Sequence, residues 1–160
     1  MFIRPFAYQP QEHELEKASS SYLMSVVIFM IGLPFPIINL LATLGFYLSN
    51  RRSTYFVRWH CTQALLSQLA VVMMNSAAFV WIFSVLFLDG EITNPFIAYV
   101  ITVVLSNITE FVGTIYAAIK IRKGTHVEWY FFGALTNAIC KPSTSNNLFT
   151  NSFTSAPQNL

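Results

Sequence analysis

Charged residues are scarce in this 160-residue chain: Asp, Glu, Lys and Arg make up 10% of it, whereas 54% is hydrophobic. An ordinary soluble domain carries about 25% charged residues. The net charge of +2 is also too small for a nucleic-acid interface, which needs a marked excess of cations. The composition therefore argues against a typical soluble domain, and we predict no nucleic-acid partner.

The residue sets that carry enzyme chemistry are also missing. The sequence contains no Ser/His/Asp set, no His/Cys cluster with metal-ligand spacing and no glycine-rich phosphate loop. The two cysteines, Cys61 and Cys140, form no CxxC pair and are interpreted as free thiols in a reducing compartment. We therefore predict no catalytic residue, no cofactor and no metal site, and we do not expect an enzyme.

Three long apolar runs dominate what is present. A helix that crosses a bilayer needs about 20 mostly apolar residues, and runs of that length occur at about residues 22–48, 64–88 and 96–121. The lipid bilayer is thus the first expected partner. We predict an all-α integral membrane bundle with three transmembrane helices, in a membrane domain of residues 22–126.

Shorter segments flank this domain. Residues 1–21 contain several acidic residues and are predicted to be a polar tail or an interfacial helix. Residues 127–141 carry an aromatic cluster typical of the lipid headgroup level and are predicted to form an interfacial carboxyl-terminal helix. Residues 142–160 are rich in Ser, Thr and Asn, and are predicted to be disordered because they cannot bury enough apolar surface.

The first apolar run contains Pro34 and Pro36. Proline removes a backbone donor and strains the preceding helical turn, so the helix is predicted to be kinked or broken there. A kinked single span is the interpretation we favour. A re-entrant hairpin, which would place both ends of the segment on the inner side, is the alternative.

Loop charges predict an orientation. The segments after the first and third runs contain basic residues, whereas the connection Asp89 to Pro95 contains Asp89, Glu91 and no cation. Basic loops face the cytoplasm. With three spans, this rule places the amino terminus outside and the carboxyl terminus in the cytoplasm, in a bacterial inner membrane. The predicted topology anchors are Arg51, Arg52, Arg58, Lys120, Arg122 and Lys123.

The third run contains one acid, Glu110, at membrane depth. A carboxylate there costs on the order of 2 to 3 kcal/mol, so it should be neutral, paired or in contact with water. Two hypotheses remain open: Glu110 is a structural clamp, or it lines a polar path or contacts a partner. Its candidate polar partners in the spans are Asn39, Gln68, Asn75 and Asn107.

A polar strip leads into the second run. Helical spacing places His60, Gln63, Ser67 and Gln68 on adjoining positions at the predicted inner edge of the bilayer. We interpret His60 as an interfacial histidine bonded to Gln63 or to a nearby carbonyl, because no carboxylate or cysteine lies in register with it.

Two motifs carry a family resemblance. The strip reads His60-x-x-Gln63-Ala-Leu-x-x-Gln68, and the third run ends in Ile115-Tyr-Ala-Ala-Ile-Lys-Ile-Arg-Lys-Gly124. Together they resemble a family of small bacterial membrane proteins of unknown function that are related to the Tic-twenty component of the chloroplast inner-envelope import machinery. The resemblance covers residues 22–129. It implies a helical membrane protein without a cofactor, and an association with protein import.

Two functions from different classes follow. The first is a non-enzymatic subunit or accessory of a membrane assembly with a membrane-protein partner, and the family resemblance implies an assembly for protein translocation. The second is an oligomeric transporter or channel for a small solute or ion that uses Glu110, since three spans rarely enclose a pore without self-association.

Overall fold

The computed structural model describes residues 1–6, 8–30, 36–88 and 90–140. This part of the chain is all-α, as predicted, with one short two-stranded sheet. The helices are α1 (Glu12–Met30), α2 (Pro36–Asn50), α3 (Tyr55–Phe87), α4 (Asn94–Arg122) and α5 (Tyr130–Ile139), and the strands are β1 (Phe2–Ile3) and β2 (Val127–Glu128). The predicted disordered tail, residues 142–160, lies outside the described residues.

Helices α3 and α4 form an antiparallel pair. Gln68 contacts Glu110 and Asn75 contacts Asn107, so the paired positions run in opposite directions along the two helices. Thr93 caps the start of helix α4, because its hydroxyl accepts a hydrogen bond from a backbone N–H in the first turn. It ends at a turn in which Gly124 has φ 79°, a conformation that favours glycine.

Both helices of this pair are long and apolar enough to cross a membrane. Their 33 and 29 residues correspond to about 50 and 44 Å of helix. Large apolar side chains on both are exposed, including Phe79, Leu86 and Ile101. The second and third predicted spans therefore correspond to α3 and α4.

The first predicted span, residues 22–48, does not form one crossing helix. It is divided between α1 and α2, which pack against each other. Tyr22 contacts His60 in the second turn of α3, while α2 ends at Asn50, just before α3 begins. Both ends of the segment therefore lie at the same end of the bundle. Three spans are not present in the described structure, and this arrangement fits the hairpin alternative. The predicted break at Pro34 lies outside the described residues.

The predicted placement of the two termini on opposite sides of the membrane is not supported. Strand β1 pairs with β2 in antiparallel register, with Phe2 opposite Glu128 and Ile3 opposite Val127. The backbone N–H of Arg4 continues this pairing to the carbonyl oxygen of His126 at 3.4 Å. The amino terminus and the segment that follows α4 therefore lie on the same side, not on opposite sides of a membrane.

We call this side the basic end: the end of the bundle at which α3 begins and α4 ends. The main hydrophobic core lies here. Its buried members are Ala18, Tyr22, Phe56, Ala64, Ala117, Ala118, Ile121 and Val127. Small residues let α1 approach α4 closely, and the Ser19 hydroxyl donates to the carbonyl oxygen of Ala118 at 3.0 Å.

Helix α5 covers the first turns of α3 at the basic end. The Trp59 indole N–H donates to the Asn137 side-chain oxygen at 2.7 Å. The other face of α5 exposes Tyr130 and Phe131, at 71% and 74%. A short helix with one packed face and one exposed aromatic face is the form expected of an interfacial helix.

Candidate functional site

The most unusual feature of the basic end is a buried polar cluster, formed by Tyr22, His60, Gln63, His126 and Glu128. Tyr22 comes from α1, His60 and Gln63 lie one turn apart on α3, and His126 and Glu128 follow the Gly124 turn at the end of α4. The first four side chains are at most 5% exposed. Three separate segments of the chain therefore meet in one solvent-excluded site.

Hydrogen bonds connect the cluster in a line. The Gln63 amide donates to the Tyr22 hydroxyl at 2.8 Å, and this hydroxyl lies 3.1 Å from His60 Nδ1. His60 Nε2 lies 3.1 Å from His126 Nδ1, and His126 Nε2 lies 3.4 Å from Glu128 Oε1. Each imidazole thus has one polar partner at each ring nitrogen.

One arrangement of protons satisfies every contact in this line. The Tyr22 oxygen accepts from Gln63 and its O–H donates to His60 Nδ1, which leaves the proton of His60 on Nε2. His60 then donates to His126 Nδ1, and His126 donates through Nε2 to the Glu128 carboxylate. Every bond in the line is satisfied when both imidazoles are neutral.

Protonation disturbs this arrangement. A proton added to His126 Nδ1 faces His60 Nε2 and forces His60 to carry its proton on Nδ1 instead. The Tyr22 oxygen then faces two donors, Gln63 and His60. Burial lowers the pKa of His126, although the nearby Glu128 carboxylate acts in the opposite direction. The folded site therefore favours neutral His126.

Gln63 also ties α3 to the segment that leads into α5. Its amide nitrogen lies 3.3 Å from the Val127 carbonyl oxygen, and its Oε1 accepts from the backbone N–H of Trp129 at 3.2 Å. One side chain therefore holds both β2 and the start of α5 against α3.

Glu128 connects the cluster to the surface. Its carboxylate lies 3.2 Å from the guanidinium of Arg4, which is 60% exposed. Phe6 packs on this side, with its ring centroid 4.8 Å from that of His126. The amino-terminal tail therefore closes the cluster from the outside.

This geometry corrects the interpretation of His60. His60 bonds to Tyr22 and His126 rather than to Gln63 or a carbonyl, and its side chain is fully buried. Sequence reasoning missed Tyr22, His126 and Glu128. A signal was available, because His126 follows a basic helix end that the charge rule places on the same side as His60.

The cluster is not arranged as a metal site. Within the described ranges, no group of three or more His, Cys, Asp or Glu side chains is placed to hold a metal ion. Both cysteines are free and buried, and the Cys140 sulfur lies 3.2 Å from the Thr62 hydroxyl.

Glu110 forms a second polar contact, deeper along the helices. The Gln68 amide donates to Glu110 Oε1 at 2.5 Å, and the Thr114 hydroxyl donates to the same oxygen at 2.9 Å. Gln68 is on α3 and the other two residues are on α4. The contact is therefore a bridge between the two membrane-length helices, which supports the clamp hypothesis.

The remaining intramembrane candidates separate into a pair and an isolated residue. Asn75 and Asn107 exchange two amide hydrogen bonds, each 3.1 Å long. Asn39 lies on α2, and its buried side-chain oxygen has no hydrogen-bond partner among the described residues. Asn39 is thus not part of either bridge between α3 and α4.

A comparison with protein families decides the affiliation of the chain. The model of the MamF/MmsF family, described as the magnetosome magnetite crystal formation protein family, matches residues 18–135. The chain belongs to this family. The match includes α3, α4 and every residue of the polar cluster, whereas Arg4 and Phe6 lie outside it.

Membership of the MamF/MmsF family overturns the resemblance drawn from the two motifs. The chain is not assigned to a Tic-twenty-related family, and an association with protein translocation is wrong for it. The motifs were too short to separate families of small helical membrane proteins. A search of curated proteins and a search of solved structures found no significant match.

Proposed function

We propose that this chain is a non-enzymatic integral membrane protein that contributes to magnetite crystal formation in a magnetosome membrane. The observation that carries the proposal is the family match, which extends over both membrane-length helices and the polar cluster. In this proposal α3 and α4 cross the bilayer, and the cluster at the basic end fixes their spacing.

The charges favour an orientation for this arrangement. The basic end carries Arg51, Arg58 and Lys120, whereas the connection between α3 and α4 contains Glu91 and no cation. By the positive-inside rule, the basic end faces the cytoplasm together with the amino terminus and α5. The connection, residues 88–93, then faces the compartment in which the mineral grows.

A bracing role is consistent with how the polar residues are used. The side chains of His60, Gln63, Glu110 and Asn107 are hydrogen-bonded to other helices or strands. Fully partnered polar groups rigidify a helical bundle. We propose that this rigid unit acts with a membrane-protein partner or with further copies of itself, because a pair of spans encloses no compartment alone.

Restoration of crystal formation tests the function. The chain is expressed in a magnetite-forming cell that lacks its own family member, and crystal number and size are measured by electron microscopy. We expect restoration of crystals by the wild type and its loss in Gln63→Leu, which breaks the contacts of α3 with β2 and α5. Gln11→Leu, at an exposed site, is the matched control. Normal membrane levels of wild-type protein without any change in the crystals would refute the proposal.

Orientation has a separate test. Cysteines are introduced separately at Arg52 and at Glu91, and spheroplasts are treated with a membrane-impermeant maleimide. The native Cys61 and Cys140 are buried and give little background. When the chain is in the plasma membrane, we expect labelling at position 91 and none at position 52. The reverse pattern would invert the proposed topology.

A further inference from the structure

An open apolar groove lies beside α4 at the basic end. Its volume is about 780 Å³, within the range of about 300 to 1,000 Å³ that is usual for small-molecule sites. One wall is a face of α4, and the other is the start of α5. The groove is lined in part by Ile108, Val112, Tyr116, Trp129 and Phe132.

Met1 and Trp129 pack against α4 at Gly113, on the floor of the groove. A Cβ atom at this position would lie 3.1 Å from Met1 Cε and 3.2 Å from Trp129 Cη2. The absence of a side chain therefore lets Met1 and Trp129 approach the α4 backbone. Met1 is an unbranched, flexible side chain, so it can move aside when the groove is filled.

The groove leads from the middle of α4 to a cation. From Ile108 to Tyr116 the wall extends about 12 Å along the helix, and Lys120 is the next residue on the same face. The Lys120 ammonium lies 5.6 Å from the centroid of the Tyr116 ring. An apolar channel that ends at a lysine, beside Trp and Tyr, matches the profile of a lipid from acyl chain to headgroup.

A hydrogen-bond donor beside the groove lacks an acceptor. The indole Nε1 of Trp129 is buried and has no partner within the part of the chain that the structure describes. An unsatisfied buried donor costs free energy, and a rotation of the Trp129 ring that turned this N–H into the groove would let a ligand oxygen remove that cost. The ester and phosphate oxygens of a phospholipid are such acceptors.

We propose that this groove binds one anionic phospholipid, with an acyl chain along Ile108, Val112 and Tyr116 and the phosphate at Lys120. Lys120 favours this occupant over a second copy of the chain, whose basic end carries the same charge. The inference goes beyond the proposed function and requires only that α4 lies in a bilayer.

Photo-labelling of the full chain in lipid nanodiscs tests the site. The probes are a phosphatidylglycerol and a phosphatidylcholine that carry the same photoreactive acyl chain, and adducts are mapped by mass spectrometry. We expect the phosphatidylglycerol probe to label residues 108–116 and 129–132 about five-fold more than the phosphatidylcholine probe, the factor that corresponds to one lysine at a membrane surface.

Two pairs of variants make the result specific. Val112→Trp fills the groove from an exposed position and should abolish this labelling, whereas Val104→Trp, also exposed on α4 but outside the groove, should leave it unchanged. Lys120→Gln should remove the preference for phosphatidylglycerol, and Lys123→Gln should retain it.

Three outcomes would overturn the proposal. Labelling of equal strength along all exposed positions of α4 would mean ordinary bilayer contact. Equal effects of Lys120→Gln and Lys123→Gln would mean a general surface charge. Absence of labelling at residues 108–116 with both probes would mean that no lipid occupies the groove. None of these three results bears on the proposed function, which is tested separately by crystal formation in cells.

Discussion

At the basic end, Phe56 is fully buried and His60 has a hydrogen-bond partner at each ring nitrogen. At the opposite end, where α3 and α4 are joined, Phe79 and Leu86 are each 69% exposed. The first region is held by contacts among several segments of the protein. The second consists of two helices whose apolar side chains have hydrocarbon as their natural surroundings. In the proposed topology, the same helices thus meet two different surroundings, protein at one end and lipid at the other.

The largest difference between the two regions should appear when the same side chain is removed from each. Phe56→Ala should destabilise the protein by about 3 to 5 kcal/mol, because it leaves a cavity among buried groups. Phe79→Ala should change stability by less than about 0.5 kcal/mol. Thermal unfolding in detergent micelles measures both. Equal losses would mean that the far end is packed against another protein surface.

Removal of the Gln63 amide should have the next largest effect. Gln63→Leu leaves the Tyr22 hydroxyl, the Val127 carbonyl and the Trp129 N–H each without one partner. The expected loss is on the order of 2 to 3 kcal/mol, since each of the three lost hydrogen bonds contributes about 1 kcal/mol. The same unfolding assay applies, with Gln11→Leu as the exposed control. A stability loss as small as that of Gln11→Leu would mean that the polar cluster does not stabilise the basic end.

Acidification should weaken the basic end selectively. The pKa of His126 is lowered by burial, so below the ordinary histidine pKa of about 6.5 the unfolded chain binds more protons than the folded one. The stabilisation is fully present above that pH and is lost as the pH falls towards the pKa in the folded state. Unfolding temperatures between pH 8 and pH 5 measure this, and they should fall on the acid side.

A matched variant assigns the pH effect. His126→Gln keeps a polar side chain and should flatten the acid side of the profile, whereas His13→Gln, at an exposed site in α1, should leave the profile unchanged. An unaltered slope in His126→Gln would mean that the pH dependence arises elsewhere.

The smallest effect is expected at the amide pair between the lipid-facing parts of α3 and α4. Hydrogen bonds between membrane helices average about 0.6 kcal/mol and reach about 1.7. Asn75→Leu, Asn107→Leu and the double variant should give a coupling free energy in that range. A coupling free energy larger than the loss of stability in Gln63→Leu would mean that polar contacts stabilise the lipid-facing region more than the basic end.

The sequence was sufficient for the parts of the fold that depend on length and apolar composition. The predicted spans 64–88 and 96–121 lie within or close to α3 and α4, because nothing other than a helix satisfies so long an apolar backbone in a bilayer. The prediction of one span at residues 22–48 also depended on length and apolar composition, and it was wrong. Length and composition cannot separate one bent crossing from two shorter helices. The contact of Tyr22 with His60, and the end of α2 just before α3, show that the segment returns.

The site was harder to predict than the fold. Gln68, Asn75 and Asn107 were selected as possible partners of Glu110, but composition could not tell that Gln68 would take the carboxylate and that the asparagines would pair with each other. His126 was missed because its partner on α3 is far away in the sequence. Helical periodicity relates neighbours within one helix, whereas the polar cluster is made from three segments.

The pairing of β1 with β2 also sets an order of events during synthesis. Phe2 leaves the ribosome before both membrane-length helices, yet its partner Glu128 is made only after them. Contacts between such distant residues form late and slowly. In the proposed topology, β1 therefore stays unpaired on the cytoplasmic side of the membrane until α3 and α4 have been made, and its pairing with β2 follows the insertion of both helices.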